Sequence, residues 1–552
     1  MFIMPAQIPP EALSIGRARG RLSASSFTAF NRCEKQWFLN YRIGLRGPTN
    51  PHQVMGVIVE DALCGLLMER AGSEGNNWAQ SDAPSSDCNT FEELKKWIFA
   101  KIPKSANKVF EDGKSEFEKS LWSKGDWNES FTIEMVEKML EHGIELQLEE
   151  VESCFEAGGG LHDFDVPAPC WKTPPHFALP GKVNQKIKWE DEPHIFSEQS
   201  LTWCDAWEIA RPWVKDPRNP QPQRMYHPEK WAAGECDIVH RWDGGIRIID
   251  VKMGDGGGKF AASLPDQLNF YSWLWNETHD SKCTGLEGWY LTNGMRKVVE
   301  ITSKETSEYR AVHDLMQNYS ADNKLPILEP CDGSAGGCHW CSKSEISYEP
   351  SKIEMPFESL SAIPNRVNVK GKLQGSWGPL PNHYGEMVLG AMIQYGDKMV
   401  TIEESQPGAF PMMHSAPAGE VIITGALPGV WRGQPRLYLD QHSEIVSNSD
   451  AELTRMGMLR TKANVTGVVL SCSRRDGNRM DGRPWSMMSF HIWDGERVAE
   501  AVAFGSAMNG SILAIKPGDT VSLISAELGW REGLVQLRID SRSTRINVES
   551  KA

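Results

Sequence analysis

Asp237, Asp250 and Lys252 are the residues of this chain whose types and spacing are best suited to chemistry. They flank Asp243-Gly244-Gly245, with strand-type apolar residues on both sides: Ile238 and Val239 before, Ile246, Ile248, Ile249 and Val251 after. A short Asp-Gly turn between such runs predicts a β-hairpin. If Asp243-Gly244 is the two-residue loop, Asp237 lies directly opposite Asp250, with Cβ atoms about 5 Å apart on one face. Side chains alternate along a strand, so Lys252 projects with Asp250. If Gly244-Gly245 is the loop, Asp237 faces Lys252 instead, and the three groups still converge. Two carboxylates so close repel unless a cation lies between them, and hard oxygen ligands beside an ammonium suit Mg²⁺ or Mn²⁺. The plainer alternative is a solvated hairpin whose charges face water.

The hairpin is followed by PDQLNFYSWLW, an apparent helix that places Gln267 and Tyr271 at i, i+4 on one face. Asp, then Asp-x-Lys on the next strand, then Gln-x-x-x-Tyr on a helix resembles the nuclease core of the PD-(D/E)xK superfamily, in particular its RecB-type iron-sulfur branch. The resemblance extends to the CRISPR-adaptation and AddB/RecB nuclease domains. It implies an α/β restriction-endonuclease-like core and a metal held by Asp237, Asp250 and the carbonyl of Val251. Lys252 would then orient or deprotonate the attacking water, and Gln267 and Tyr271 would hold the strand or brace Lys252. In that branch a glycine is followed four positions later by a metal-binding histidine. Here Gly56 leads to Glu60, a departure that keeps a hard ligand.

Residues 21–45 carry serines suited to capping, then Phe27, Phe30, Trp37, Phe38 and Tyr41 at helical spacing, with Cys33 inside the expected helix. Near 330–350, Cys331, Cys338 and Cys341 fall within eleven residues, which points to metal binding. With Cys33 they make four thiolates, enough for a [4Fe-4S] cluster or a Cys₄ zinc site. The serine-rich start before Cys33 and the Cys338-x-x-Cys341 pair resemble the cluster ligands of the RecB-type branch. Ser347 stands where that pattern has its last cysteine, and Cys331 lies upstream instead. GDGGGKF at 254–260 fails the phosphate-loop spacing, because Lys259 is followed by Phe.

At 552 residues the chain is too long for one core. Its 40% apolar and 24% charged content is that of a globular protein. No apolar run reaches the ~18 residues of a membrane span. The first residues lack a signal-peptide pattern, and twelve scattered cysteines do not read as a disulfide framework, so a cytoplasmic, nucleoid-associated protein is expected. A net charge of −15 excludes a general polycation, leaving any nucleic-acid contact to local patches.

The expected nuclease domain runs over 1–350, with an insertion at about 70–230. That insertion holds a long acidic amphipathic helix within Phe131–Glu156, and FSEQSLTW reads as the strand before the hairpin. From Pro350 the pattern turns to short alternating strands, predicting two all-β OB-type barrels at 360–450 and 458–552. The second resembles single-strand-binding modules. Its loop SRRDGNRMDGRPW gathers Arg474, Arg475, Arg479, Arg483 and Trp485, which suits phosphate attraction with base stacking.

The expectation is therefore a metal-dependent deoxyribonuclease, exonuclease before endonuclease, acting on single-stranded DNA or DNA ends in repair, recombination or replication. A separate helicase or recombination protein is a fitting partner, and cleavage should leave 5′-phosphates, as the resemblance implies. Two alternatives stay open: a catalytically inactive single-strand-binding scaffold, and an RNA-processing nuclease. On this view deleting 455–552 should weaken binding to long single strands more than it harms cutting of short ones.

Overall fold

The computed structural model describes residues 21–71, 90–158, 201–321 and 351–550, apart from 46, 70, 216–224, 230, 258–261, 303, 382–386, 405–411, 432, 441, 479–482 and 532–533. Cys331, Cys338, Cys341, Arg479 and Lys259 lie outside the described residues.

The first helix, α1 (Ala24–Arg32), starts at a Ser23–Ser26 capping box and ends at Cys33, whose backbone is extended. Cys33 is therefore not inside a continuous helix, as the spacing suggested. The break lets the next turn, Glu34–Trp37, fold back so that Trp37 meets Phe30 edge-on with ring centroids 5.1 Å apart. A π-helical turn, Phe38–Ile43, follows and closes on Gly44 at φ 82.

Helix α2 (Pro51–Leu67) is capped by Asn50 and carries Glu60. Around it pack α3 (Phe91–Phe99), α4 (Ile102–Glu118), α5 (Ile133–Glu156) and α6 (Trp203–Ala210) in one apolar cluster. The α5 stripe Val136, Met139, Leu140, Ile144, Leu148 and Val151 is wholly buried, so most of the described part of 70–230 serves to hold α2. Gly143 allows the close approach: a Cβ there would stand 2.7 Å from Leu63. FSEQSLTW does not supply the strand beside the hairpin. Its first five residues lie outside the described residues, and Thr202 caps α6, its hydroxyl accepting from the Asp205 N–H at 3.1 Å.

That strand is instead β1 (Trp213–Val214), the edge of a five-stranded sheet that continues through β2 (Ile238–Trp242), β3 (Gly245–Lys252), β4 (Cys283–Tyr290) and β5 (Met295–Val298). Only β3 and β4 run parallel; α7 (Leu264–Thr278) makes the crossover between them. One sheet face sends Ile238, Ile249 and Val251 into the helical lobe around α2. The other sends Val239, Ile246 and Ile248 against α1, α7 and α8 (Thr306–Ala321).

Inside the apolar run of β3, Arg247 is buried between Glu150 of α5 at 2.5 Å and Glu287 of β4 at 3.1 Å. Arg296 joins Glu150 at 2.5 Å from β5. Breaking a buried pair strands its partner, so Arg247→Met should cost about 3–5 kcal/mol of stability. Urea titration checks this; an unshifted midpoint would mean the network carries no weight.

The first barrel comprises β6 (Val367–Pro381), β7 (Met387–Tyr395), β8 (Lys398–Glu404), β9 (Glu420–Trp431) and β10 (Gln434–Leu439), with β11 (Glu444–Val446) on β9. The second repeats the plan with β12 (Lys462–Asn478), β13 (Pro484–Trp493), β14 (Val498–Phe504), β15 (Thr520–Arg531) and β16 (Leu534–Ile539), with β17 (Arg545–Glu549) on β15. In each, the first strand pairs with the second and fourth, the third pairs parallel with the fifth, and the fifth pairs with the fourth. These are closed five-stranded barrels of the OB type.

The second barrel is built into the rest of the chain. Leu470, Val498 and Leu534 pack against the core beneath α1 and α7, while Leu121 and Trp122 pack against the barrel's own core. Arg531 covers Gly44, and Trp530 meets Tyr438 of the first barrel at 5.4 Å between ring centroids. No helix among the described residues is long and apolar enough to cross a membrane.

Candidate active site

The hairpin turn is Asp243-Gly244, with φ of 48 and 68. Both values are positive, as a type I′ turn requires, and of the two only Gly244 adopts this region without strain. The loop fixes the register Ile238↔Ile249, and one further step brings Asp237 opposite Asp250. Asp237 stands just beyond the last paired residue, where its Oδ2 accepts the Val251 N–H at 2.9 Å and its carbonyl accepts the Lys215 N–H at 2.9 Å.

Asp250 is 2% exposed. Its Oδ2 is ion-paired with the Lys252 ammonium, and its Oδ1 accepts from Gln267 Nε2 at 2.7 Å. Tyr271, one turn further along α7, hydrogen-bonds Gln267, and its ring lies against Gly234, where a Cβ would come within 3.1 Å. From the helical lobe, Glu60 Oε1 sits 3.0 Å from Lys215 Nζ, which is also 3.0 Å from Asp61 Oδ1. The structure thus brings Glu60, Asp237, Asp250, Lys252, Gln267 and Tyr271 into one place. Val251 contributes the backbone between the two strand groups.

Electrostatics here are strained by design of the donor set. Burial, then repulsion from Glu60 and Asp250, pushes the Asp237 carboxyl well above the usual carboxylate range. Glu60 is raised too, chiefly by burial, with Lys215 opposing. Burial works against the Lys252 ammonium, but Asp250 and Asp237 outweigh it and hold its pKa high. The Tyr271 phenol is pushed well up by burial and by the same two aspartates. With all four acids ionised, Asp61 counted, the site would set four negative charges against two ammonium groups, Lys252 and Lys215. That deficit is the charge of one divalent cation, so the residues fit Mg²⁺ or Mn²⁺ by charge and by donor hardness. Among the described residues no three acids, imidazoles or thiols already surround one point, so the fit is not that of a finished cage.

Of the four cysteines, only Cys33 is among the described residues: it is buried at the end of α1, its Sγ accepting from the Gln36 N–H at 3.4 Å. In the second barrel, Arg474 is committed to Asp476 within its own hairpin, Nε to Oδ2 3.0 Å. Arg475 and Arg483 are exposed, and Trp485 is half-buried over Gly477. At the facing ends of β15 and β16, Arg531 covers Gly44 and Leu534 packs against the core beneath α1 and α7. The first barrel instead exposes Trp377 and Trp431, 37% and 39%.

A cleft of about 430 Å³ opens beside Asp237 and Tyr271, lined also by Arg21, Ser25, Arg42 and Lys215. Sequence reasoning missed these cations. Arg21 and Arg42 sit at the ends of a segment read for its apolar face, and Lys215 follows a two-residue strand too short for a pattern. The usable signal was weak: a lone lysine ending W-V-K ahead of the hairpin.

No protein-family model matches the chain, and no curated protein is similar to it. Among solved structures it is similar to a murine DNA binding protein bound with double-stranded DNA, at 13% identity over 34% of this chain and 97% of that one, TM-score 0.14. It is similar also to a Replication Protein A heterotrimer bound to single-stranded DNA, at 13% identity over 34% and 48%, TM-score 0.14. A third is the second OB-fold domain of replication protein A from Methanococcus maripaludis, at 16% identity over 16% and 86%, TM-score 0.13. At these scores the barrel assignment rests on strand order, not on the likeness.

Proposed function

We propose that the chain is a divalent-metal-dependent nuclease that hydrolyses phosphodiester bonds in single-stranded DNA or at DNA ends, with OB barrels that help hold the strand. The observation that carries the reading is the buried meeting of Asp237, Asp250, Glu60 and Lys252, where the crowding of acids raises Asp237 and Glu60. Glu60, Asp237, Asp250 and the Val251 carbonyl would hold Mg²⁺ or Mn²⁺. Bound there, the ion supplies charge neutralisation at the scissile phosphate and a more acidic water.

The chain's own groups do the rest. Lys252, fixed by Asp250, orients the attacking water and offers a proton at its Nζ. Gln267 holds Asp250 in its rotamer, and Tyr271 walls the cleft where the strand lies. Arg475, Arg483 and Trp485, with Arg474 and Arg479, belong to the strand-holding surface of the second barrel. A [4Fe-4S] cluster or zinc at Cys33, Cys331, Cys338 and Cys341 would be structural, tying the ends of the nuclease domain together. Absorbance near about 400 nm in anaerobically purified protein separates iron-sulfur from zinc.

One observation favours the second reading, a binding scaffold without catalysis: Glu60 is already satisfied by Lys215. The two separate in one assay on end-blocked and free single-stranded oligonucleotides, with Mn²⁺ or with EDTA. Loss of full-length strand with Mn²⁺ alone is the expected result. Intact strand under both conditions, with binding retained, would leave only the scaffold.

A further inference from the structure

Glu60 is claimed by two cations. The Lys215 ammonium donates to its Oε1 at 3.0 Å and stands 3.0 Å from Asp61 Oδ1, yet Glu60 is also one of the groups that would hold the divalent ion. We propose that Lys215 is an internal counter-ion that competes with the divalent cation for Glu60 and swings away when the ion binds. The proposal rests on the metal-dependent reading for the ion, while the lysine's place is fixed by contacts that owe nothing to a metal.

Backbone pairing puts the lysine there. β1 ends at Val214, and the Lys215 N–H donates to the Asp237 carbonyl at 2.9 Å, so the ladder that seats one carboxylate also delivers an ammonium beside it. Glu60 and Asp61 reach that ammonium from α2. Asp237, raised chiefly by burial, is raised further by Glu60 and Asp250, so the acid that Lys215 holds belongs to the same electrostatic group as both aspartates.

An ammonium held in this way does not leave by losing its proton. Burial works against its charge, but Glu60 and Asp61 outweigh it and raise its pKa. An ion that takes Glu60 must therefore push the side chain aside, and the side chain is suited to moving. It is 27% exposed and lines the cleft beside Asp237, and a lysine is a compact charge on a flexible stem. A guanidinium, whose planar fork grips a carboxylate at two points, would yield less readily. The exchange favours a hard divalent ion, which brings twice the charge to the same oxygen.

Two measurements on the full chain test this. Free Mn²⁺ is followed by electron paramagnetic resonance at mildly alkaline pH, to limit competition from protons, in wild type and three variants. Lys215→Met and Lys215→Gln remove the charge and should bind Mn²⁺ about tenfold more tightly, because a partly exposed charge pair lies between the water and interior limits. Lys215→Arg keeps the charge and should bind no tighter than wild type. A lysine that merely propped Glu60 in place would give the opposite sign. In the wild type, a pulse of acetic anhydride is read by mass spectrometry in EDTA and in Mg²⁺. Acetylation of Lys215, normalised to Lys398, whose side chain is 60% exposed on the first barrel, should rise severalfold with Mg²⁺.

Mn²⁺ affinity no tighter than wild type in both uncharged variants would overturn the proposal. So would Lys215 acetylation that is unchanged or lowered by Mg²⁺, a result that stands even if neither variant folds. No Mn²⁺ binding by any of the four proteins would overturn it together with the nuclease reading. Tighter binding and increased acetylation, with no strand cut by the Mn²⁺-loaded wild type, would sink the nuclease reading alone and leave the counter-ion.

Discussion

Asp250→Asn should lower Mn²⁺-dependent strand cleavage by at least about 10³-fold, on the order of 4 kcal/mol in the barrier. Asparagine has the shape of aspartate and keeps an oxygen for Gln267 Nε2, so the scaffold around it is preserved. What goes is one charge from a cluster that carries too many. Without metal, the change relieves repulsion on Asp237 and Glu60 but takes from the Lys252 ammonium the carboxylate it pairs with, so each protein's own metal-free Tm is the baseline for the comparison. With metal the two proteins part. At about 100 times its dissociation constant an ion stabilises the wild type by about 2.7 kcal/mol, read as a rise in Tm, and the variant should gain little. Affinity for a single strand in EDTA should stay the same or tighten, since a negative group has left. Cleavage within about tenfold of wild type, or an equal rise in Tm with Mn²⁺, would remove Asp250 from the metal site and take the enzymatic reading with it.

The hairpin was legible because its cause is local. A left-handed Asp-Gly pair and a period-two run need no knowledge of the rest of the chain, and they fix the register that sets Asp237 against Asp250. The α5 stripe and the barrel strands were legible for the same reason. Lys215 was not, because its meaning is Glu60, 155 positions earlier. Arg247 was hidden differently: inside I-R-I-I it reads as an outward charge, and only Glu150 and Glu287 make it a buried one. Cys33 was misplaced because apolar spacing cannot distinguish one long helix from two short ones that fold Trp37 onto Phe30. A hint of the second barrel's docking was present. Val468, Val469 and Leu470 are apolar in succession, which means burial on both faces of a strand.

That docking argues against the expectation that deleting 455–552 weakens long-strand binding more than it harms cutting of short strands. Leu470, Val498 and Leu534 cover the core beneath α1 and α7, and each Leu or Val fully shielded from water contributes about 1.5–3 kcal/mol. They are partly buried, so about 5 kcal/mol is at stake, at the low end of a domain's whole stability of about 5–15 kcal/mol. Leu121 and Trp122 would be bared as well, and Leu360 and Ile363 of the connecting segment lie in the barrel's own core. Truncation at 455 should therefore yield protein that aggregates or melts at least about 10 °C below the full chain, and cutting of short strands should fall with folding. A milder change isolates the contact: Leu534→Asp places a charge against that core while the barrel strands stay paired. It should lower the Tm of the lobe that carries β3, followed by protection of β3 amides from hydrogen exchange, more than that of the barrel. A truncated chain as stable as the intact one, cutting short oligonucleotides at the full rate, would show the barrel to be a tethered accessory after all.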